Sequence, residues 1–228
     1  MPIRISITLC LFIILSSATT AQVRVGIKAG PDFARLLDAA EGYNGSGSTT
    51  LLNTGSRTYL YGGIFADIPL GKGKENVFYL RPQLEYLGAG GQLPLITDFN
   101  GNAIVLPTKY SLHYIDLPVQ FLFSPTLPIG KPWIGAGLYG GVLVNGTAKY
   151  GNNSTDLSIG NKDNDAIERY DFGFSFTAGL TLKCGILIGG DFQQGLIRVS
   201  PPSPFGAPRP NTRNAIGGVH VGYEFTLK

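Results

Sequence analysis

Ser111 and His113 stand two residues apart, so an extended chain places both on one face. A serine beside a histidine base is the beginning of an activated nucleophile. Such a pair also needs an acid to orient the imidazole, and that face of the segment carries none. Gly135, Gly137 and Gly140 spell the GxGxxG string of dinucleotide sites. That string works only after a strand and before a helix, whose N-terminus receives the pyrophosphate. Here Gly141-Val142-Leu143-Val144-Asn145-Gly146 continues as strand and turn, so the glycines read as small residues that clear space. Asn161, Asp163 and Asp165 alternate like the start of a calcium loop. Ala166 stands where that loop requires glycine, and Phe172 where it requires a bidentate glutamate, so only weak cation binding in an exposed loop would remain. Cys184 lies in a Leu182-Lys183-Cys184-Gly185 turn with no histidine nearby in sequence. No catalytic, cofactor or metal residue is assigned from these motifs. Ser111 and His113 are kept as the one handle for an enzymatic reading.

The elements that carry these residues follow a period of two. The clearest set is the last. Ala215, Gly217, Val219, Val221, Tyr223, Phe225 and Leu227 share one parity, and Asn214, Gly218, His220, Gly222, Glu224, Thr226 and Lys228 the other. Ile216 is the one large apolar residue on the polar side. Seven more sets run over 23–30, 59–68, 77–86, 114–123, 134–142, 171–180 and 186–193. A stretch from Phe33 to Ala40 is the exception and reads as a turn of helix in a loop.

Composition narrows the class. Only 14% of the 228 residues are charged, while 32 are Gly, 15 are Pro and 11% are aromatic. Ordinary soluble domains carry about 25% charged residues. Disorder, which needs few aromatics and more charge, is equally disfavoured. The net charge of +3 comes without a basic block, which leaves nucleic-acid binding unsupported. Residues 1–21 read as a signal peptide. Arg4 supplies the positive region, Ile5 to Leu15 the apolar run and Ser16 to Ala21 the small residues before a cut at Gln22. The apolar run is shorter than the roughly 20 residues a transmembrane helix needs. Residues 22–228 then form one domain with Cys184 as its single cysteine, so no intrachain disulfide is possible.

Connector length discriminates between barrel types. Segments 35–57, 88–110, 145–168 and 196–212 are long, whereas 69–76, 124–131 and 182–184 are short. Outer-membrane barrels have long outer loops and short periplasmic turns. The polar parity holds Arg24, Lys28, Asp67, Arg81, Glu85, Asp116, Asp171, Asp191, His220 and Glu224. Facing lipid, a Lys or Arg would cost about 2–4 kcal/mol near the midplane, and an acid less. Inside a barrel of about eight strands the charges can pair, and side chains fill that interior. The expected fold is therefore all-β: a transmembrane, antiparallel, up-and-down barrel with a polar filled interior, in the cell outer membrane. Pro82 and Pro118 sit awkwardly in a closed barrel, and bulges or strand ends are the expected accommodation.

Several segments carry a resemblance. They are Val25-Gly26-Ile27-Lys28-Ala29-Gly30, Phe78 to Tyr86 (FYLRPQLEY), Tyr114-Ile115-Asp116-Leu117-Pro118, Gly135 to Gly140 (GAGLYG), Tyr170-Asp171-Phe172-Gly173 and Gly222-Tyr223-Glu224-Phe225. In this order they resemble the PorT-like outer-membrane β-barrel proteins of Bacteroidetes. The chain departs from the common barrel ending, since Thr226, Leu227 and Lys228 follow Phe225. The resemblance implies an outer-membrane barrel and, by analogy, an accessory role in protein secretion.

The expected function is that of a non-enzymatic, monomeric outer-membrane barrel with an envelope-structural or loop-mediated interaction role. Its partners would be outer-membrane lipid, lipopolysaccharide and a protein at the outer loops. The alternatives are the secretion accessory and a lipid-modifying enzyme using Ser111 and His113.

Overall fold

The computed structural model describes residues 23–37, 41–44, 48–51, 55–71, 77–93, 96–97, 103–105, 108–160, 165–199 and 212–226. Eight long strands build it: β1 (Arg24–Leu37), β2 (Arg57–Pro69), β3 (Phe78–Ala89), β4 (Thr108–Phe123), β5 (Gly130–Tyr150), β6 (Tyr170–Leu182), β7 (Ile186–Gly195) and β8 (Arg213–Thr226). Each pairs antiparallel with its sequence neighbour, and β8 pairs back onto β1, from Arg24↔Thr226 to Leu37↔Arg213. The sheet is thus a closed up-and-down barrel, as the alternation and the connectors indicated. The short connectors gather at one end with the start of β1 and the end of β8. One of them carries Gly185 in the left-handed region at φ 90, with Cys184 exposed beside it. The signal-peptide reading of residues 1–21 lies outside the described residues.

Two boundaries differ from expectation. Phe33 to Leu37 continue β1 instead of forming a helical turn. Phe33 pairs with Gly217 on one side and Thr58 on the other, and these two ladders outweigh the local pattern. Alternation persists there, with Phe33 exposed and Ala34 buried. β5 runs past residue 145 to Tyr150, then turns at Gly151 so that Asn153–Asp156 pairs back on it.

The prolines occupy neither bulges nor strand ends. Between β2 and β3 the bridges pass from Phe65↔Gln83 to Ile68↔Leu80, skipping Ala66 and Asp67 opposite Pro82 and Arg81. Between β3 and β4 they pass from Pro82↔Val119 to Glu85↔Asp116, skipping Gln83 and Leu84 opposite Pro118 and Leu117. Register runs unshifted through both gaps. Each proline lacks one donor on one side and keeps its pairing on the other, Pro82 with Val119 and Pro118 with Tyr139.

The outward face is apolar: Ile27, Ile64, Leu84, Leu117, Phe121, Ile134, Phe174 and Val221 are all exposed. Inward residues fill the lumen in layers. Nearest the short connectors, Arg24 pairs with Glu224 at 2.7 Å, and Arg81 grips Asp67 through two bonds of 2.6 and 2.9 Å. The Arg81 guanidinium lies between the Phe65 and Trp133 rings, 4.5 and 4.6 Å from their centroids. In the middle, Lys28 bridges Glu85 and Asp191, both at 2.6 Å. His220 and the Tyr61 hydroxyl each lie 3.0 Å from Asp191. Gln83 donates to Gln120, which donates to Ser175. Further along, Tyr139 and Asn214 both donate to Asp171. At the long-connector end the filling turns apolar, with Ala34, Leu87, Ala89, Leu112, Leu143, Ile167 and Ile216 packed together. Ile216, the exception to the polar parity, is a member of this plug.

Candidate functional site

The long-connector rim is where Ser111 and His113 lie, both on the outward face of β4. The β2–β3 ladder ends at Gly62↔Tyr86. Beyond it the Gly88 amide donates to Asp32 Oδ2 at 3.2 Å, and side chains of β2 reach past β3 to β4. Arg57 donates to the Tyr110 carbonyl at 3.0 Å and to Ser111 Oγ. The Tyr59 hydroxyl donates to the same carbonyl at 3.2 Å. Gly88 permits this crossing, because a Cβ there would strike the Tyr59 side chain, 2.7 Å from its Cδ1.

His113 is wedged between rings. Tyr86 stacks on it at 5.7 Å and Tyr59 meets it edge-on at 5.8 Å. Its Nδ1, the nitrogen that an orienting acid holds in a serine triad, is buried without a hydrogen-bond partner among the described residues. The Ser111 hydroxyl is engaged by Arg57. The structure therefore brings Ser111 and His113 to one surface with two tyrosines and a guanidinium, and among the described residues supplies no acid at Nδ1. Sequence reasoning left Arg57 inside a connector and missed its part here. Its partners sit on a strand two places away, which no local pattern reveals.

The same outward strip becomes cationic at its tip. Lys109 and Lys149 are direct cross-strand partners, both exposed, with Ser111 opposite Thr147 next to them. Like charges directly opposed destabilise a strand pair. Asp156, opposite Thr147 on the far side of β5, is the acid of this strip. A cleft of about 670 Å³ there is lined by Gln92, Lys109, Lys149, Tyr150, Asn152 and Asn153.

Described parts of two connectors fold over the mouth. Leu157 and Ile159 pack on the apolar plug, and Val199 is buried against Leu36 and Tyr110. The Glu168 amide donates to the Val199 carbonyl at 2.9 Å and ties the two segments together. Partial burial raises the Glu168 carboxyl above its ordinary range, with Arg198 opposing the rise.

The remaining motifs resolve simply. Gly135 and Gly137 face inward on β5, where the backbone of β4 leaves no room for a Cβ. The strand continues past them with no helix, so the GxGxxG string has no dinucleotide geometry. Asn161 and Asp163 lie outside the described residues.

A family model described as "Outer membrane protein beta-barrel domain" matches residues 16–200. Among solved structures the chain is similar to Ail, the attachment invasion locus protein of Yersinia pestis. That match has 11% identity and a TM-score of 0.41, and covers 90% of this chain and 99% of that one. It is similar to neisserial surface protein A, with 13% identity, a TM-score of 0.44 and coverage of 88% and 97%. A third is the outer membrane protein OprG from Pseudomonas aeruginosa, with 8% identity, a TM-score of 0.41 and coverage of 91% and 98%. No curated protein matches the chain.

Proposed function

The chain belongs to the outer membrane protein beta-barrel domain family, and from that premise we propose that it is a non-enzymatic, monomeric envelope protein that works through its outer surface. Its place is the outer membrane. The observation that carries the proposal is the filled lumen. Ion pairs among Arg24, Asp67, Arg81 and Glu224 close one end, Lys28, Glu85 and Asp191 the middle, and the apolar plug the other. A lumen so filled supports a scaffold that stiffens the membrane and presents its long connectors to protein partners. Planar-bilayer recording of the purified chain tests it: silence is expected, and steady openings would overturn it.

Lipopolysaccharide is the proposed partner of the rim. Lys109 and Lys149 oppose each other on a lipid-facing strip, and an anionic phosphate between them relieves the repulsion. The lipid-modifying reading loses support from the unpartnered Nδ1 of His113. A role as an accessory of protein secretion is a second proposal. It rests on the ordered segments shared with PorT-like proteins of Bacteroidetes, and intact surface-protein export in a deletion strain would remove it.

A further inference from the structure

We infer that the barrel holds one acyl chain of an inner-leaflet phospholipid in a groove on its outward face, formed where Pro82 and Pro118 interrupt the strand ladders. The groove has a volume of about 460 Å³. Small-molecule sites span roughly 300–1,000 Å³. Its lining is almost wholly apolar and includes Val25, Ile64, Ala66, Pro82, Leu84 and Leu117.

The register explains its shape. One outward row runs Phe225, Val25, Ala66, then Pro82 and Val119. The next row toward the long connectors runs Tyr223, Ile27, Ile64, Leu84. The second row is bulky and exposed throughout, while Val25, Ala66 and Pro82 are half-buried. The first row therefore dips between Phe225 and Val119. Phe65 and Gln83, whose side chains point into the lumen, also border the groove, so it reaches down to the backbone where the bridges are missing.

Location fixes the occupant. The groove is continuous with the lipid-facing band. It lies toward the short connectors, which in outer-membrane barrels is the periplasmic side. The leaflet on that side is built of phospholipid, whereas lipopolysaccharide occupies the opposite one. A methylene chain suits a slot whose one polar bordering side chain, Gln83, turns into the lumen toward Gln120. This inference does not depend on the proposed role of the outer surface, since conductance tests that role and lipid retention tests this one.

Native mass spectrometry of the full chain, purified in mild detergent with palmitoyl-oleoyl phosphatidylethanolamine, reads the outcome. One retained phospholipid per barrel is expected. Ala66→Trp fills the dip, and displacing two methylenes lowers retention by roughly tenfold. Ala136→Trp, at an outward position on β5, leaves it unchanged. Equal retention in the three proteins overturns the inference, and so does retention of lipid A in place of phospholipid. A diazirine-bearing phosphatidylethanolamine, applied to the unaltered chain, gives an answer even if Ala66→Trp does not fold. Adducts are expected on Ala66, Leu84 and Leu117, and labelling spread evenly round the barrel sinks the proposal.

Discussion

Lys28 on β1 holds its ammonium 2.6 Å from Asp191 on β7, inside the lumen and with only the strand β8 between them. The same nitrogen lies 2.6 Å from Glu85 on β3. One cation thus neutralises two buried acids from opposite sides. Lys28→Met removes the shared cation, leaving Glu85 with the Gln193 amide and Asp191 with Tyr61, Thr177 and His220. Breaking a buried pair from one side costs about 3–5 kcal/mol. Urea unfolding in phospholipid vesicles should show a loss of that size. Adding Asp191→Asn to Lys28→Met should recover part of it, and a neutral Lys28→Met would contradict the network.

Trp133 is the chain's single tryptophan and a direct reporter of the lumen. Its indole stacks on His220 at 6.0 Å with the planes 4° apart. It also covers Gly189, where a Cβ would sit 2.8 Å from Cζ2. Fluorescence should resist both acrylamide and brominated lipid until the barrel unfolds. Gly189→Val should displace the ring and destabilise the barrel by about 1–3 kcal/mol through overpacking. Strong quenching of the folded protein by brominated lipid would show that the indole faces outward.

The rim makes a prediction of the opposite kind. Ser111 is engaged by Arg57, and His113 is held by Tyr59 and Tyr86. Lipid A extracted from cells expressing the natural chain and His113→Ala should have identical mass profiles. An acyl chain that is lost only with the natural chain would restore the enzymatic reading.

Opposed lysines give a test with a sign. Lys149→Glu replaces a repulsive cross-strand pair with an attractive one, and such pairs contribute roughly 0.2–1 kcal/mol. In vesicles without lipopolysaccharide the variant should be more stable than the natural chain. Adding lipopolysaccharide should stabilise the natural chain and leave Lys149→Glu unmoved. An equal response from both would remove Lys109 and Lys149 as its contact.

Much of this was legible beforehand because a barrel strand obeys a local rule. Lipid admits one kind of side chain and the lumen another, so parity alone placed Lys28, Arg81, Glu85 and Asp116 inside. The connectors likewise betrayed the two ends of the barrel. What local pattern could not carry was anything decided across strands. Phe33 to Leu37 read as helical because their ladder partners, on β2 and β8, are distant in sequence. Ile216 looked misplaced until Leu112, Leu143 and Ile167 arrived around it. The prolines pointed to bulges, whereas the closed register simply bridges the missing donors. Arg57 joins the rim only because the ladder between β2 and β3 ends early.

The seam between β1 and β8 sets the order of events when this barrel is made. Seven of its strand pairings join neighbours in the chain, but Arg24 and Glu224, which bond across the seam, are 200 residues apart. Joining the two strands carries a larger loop-closure entropy than any of the other seven pairings, and pairings of such high contact order form slowly. Until β8 docks, β1 and β8 are both open strand edges, the kind that recruit further chains into aggregates. The edge of β1 therefore stays open through the whole of that delay.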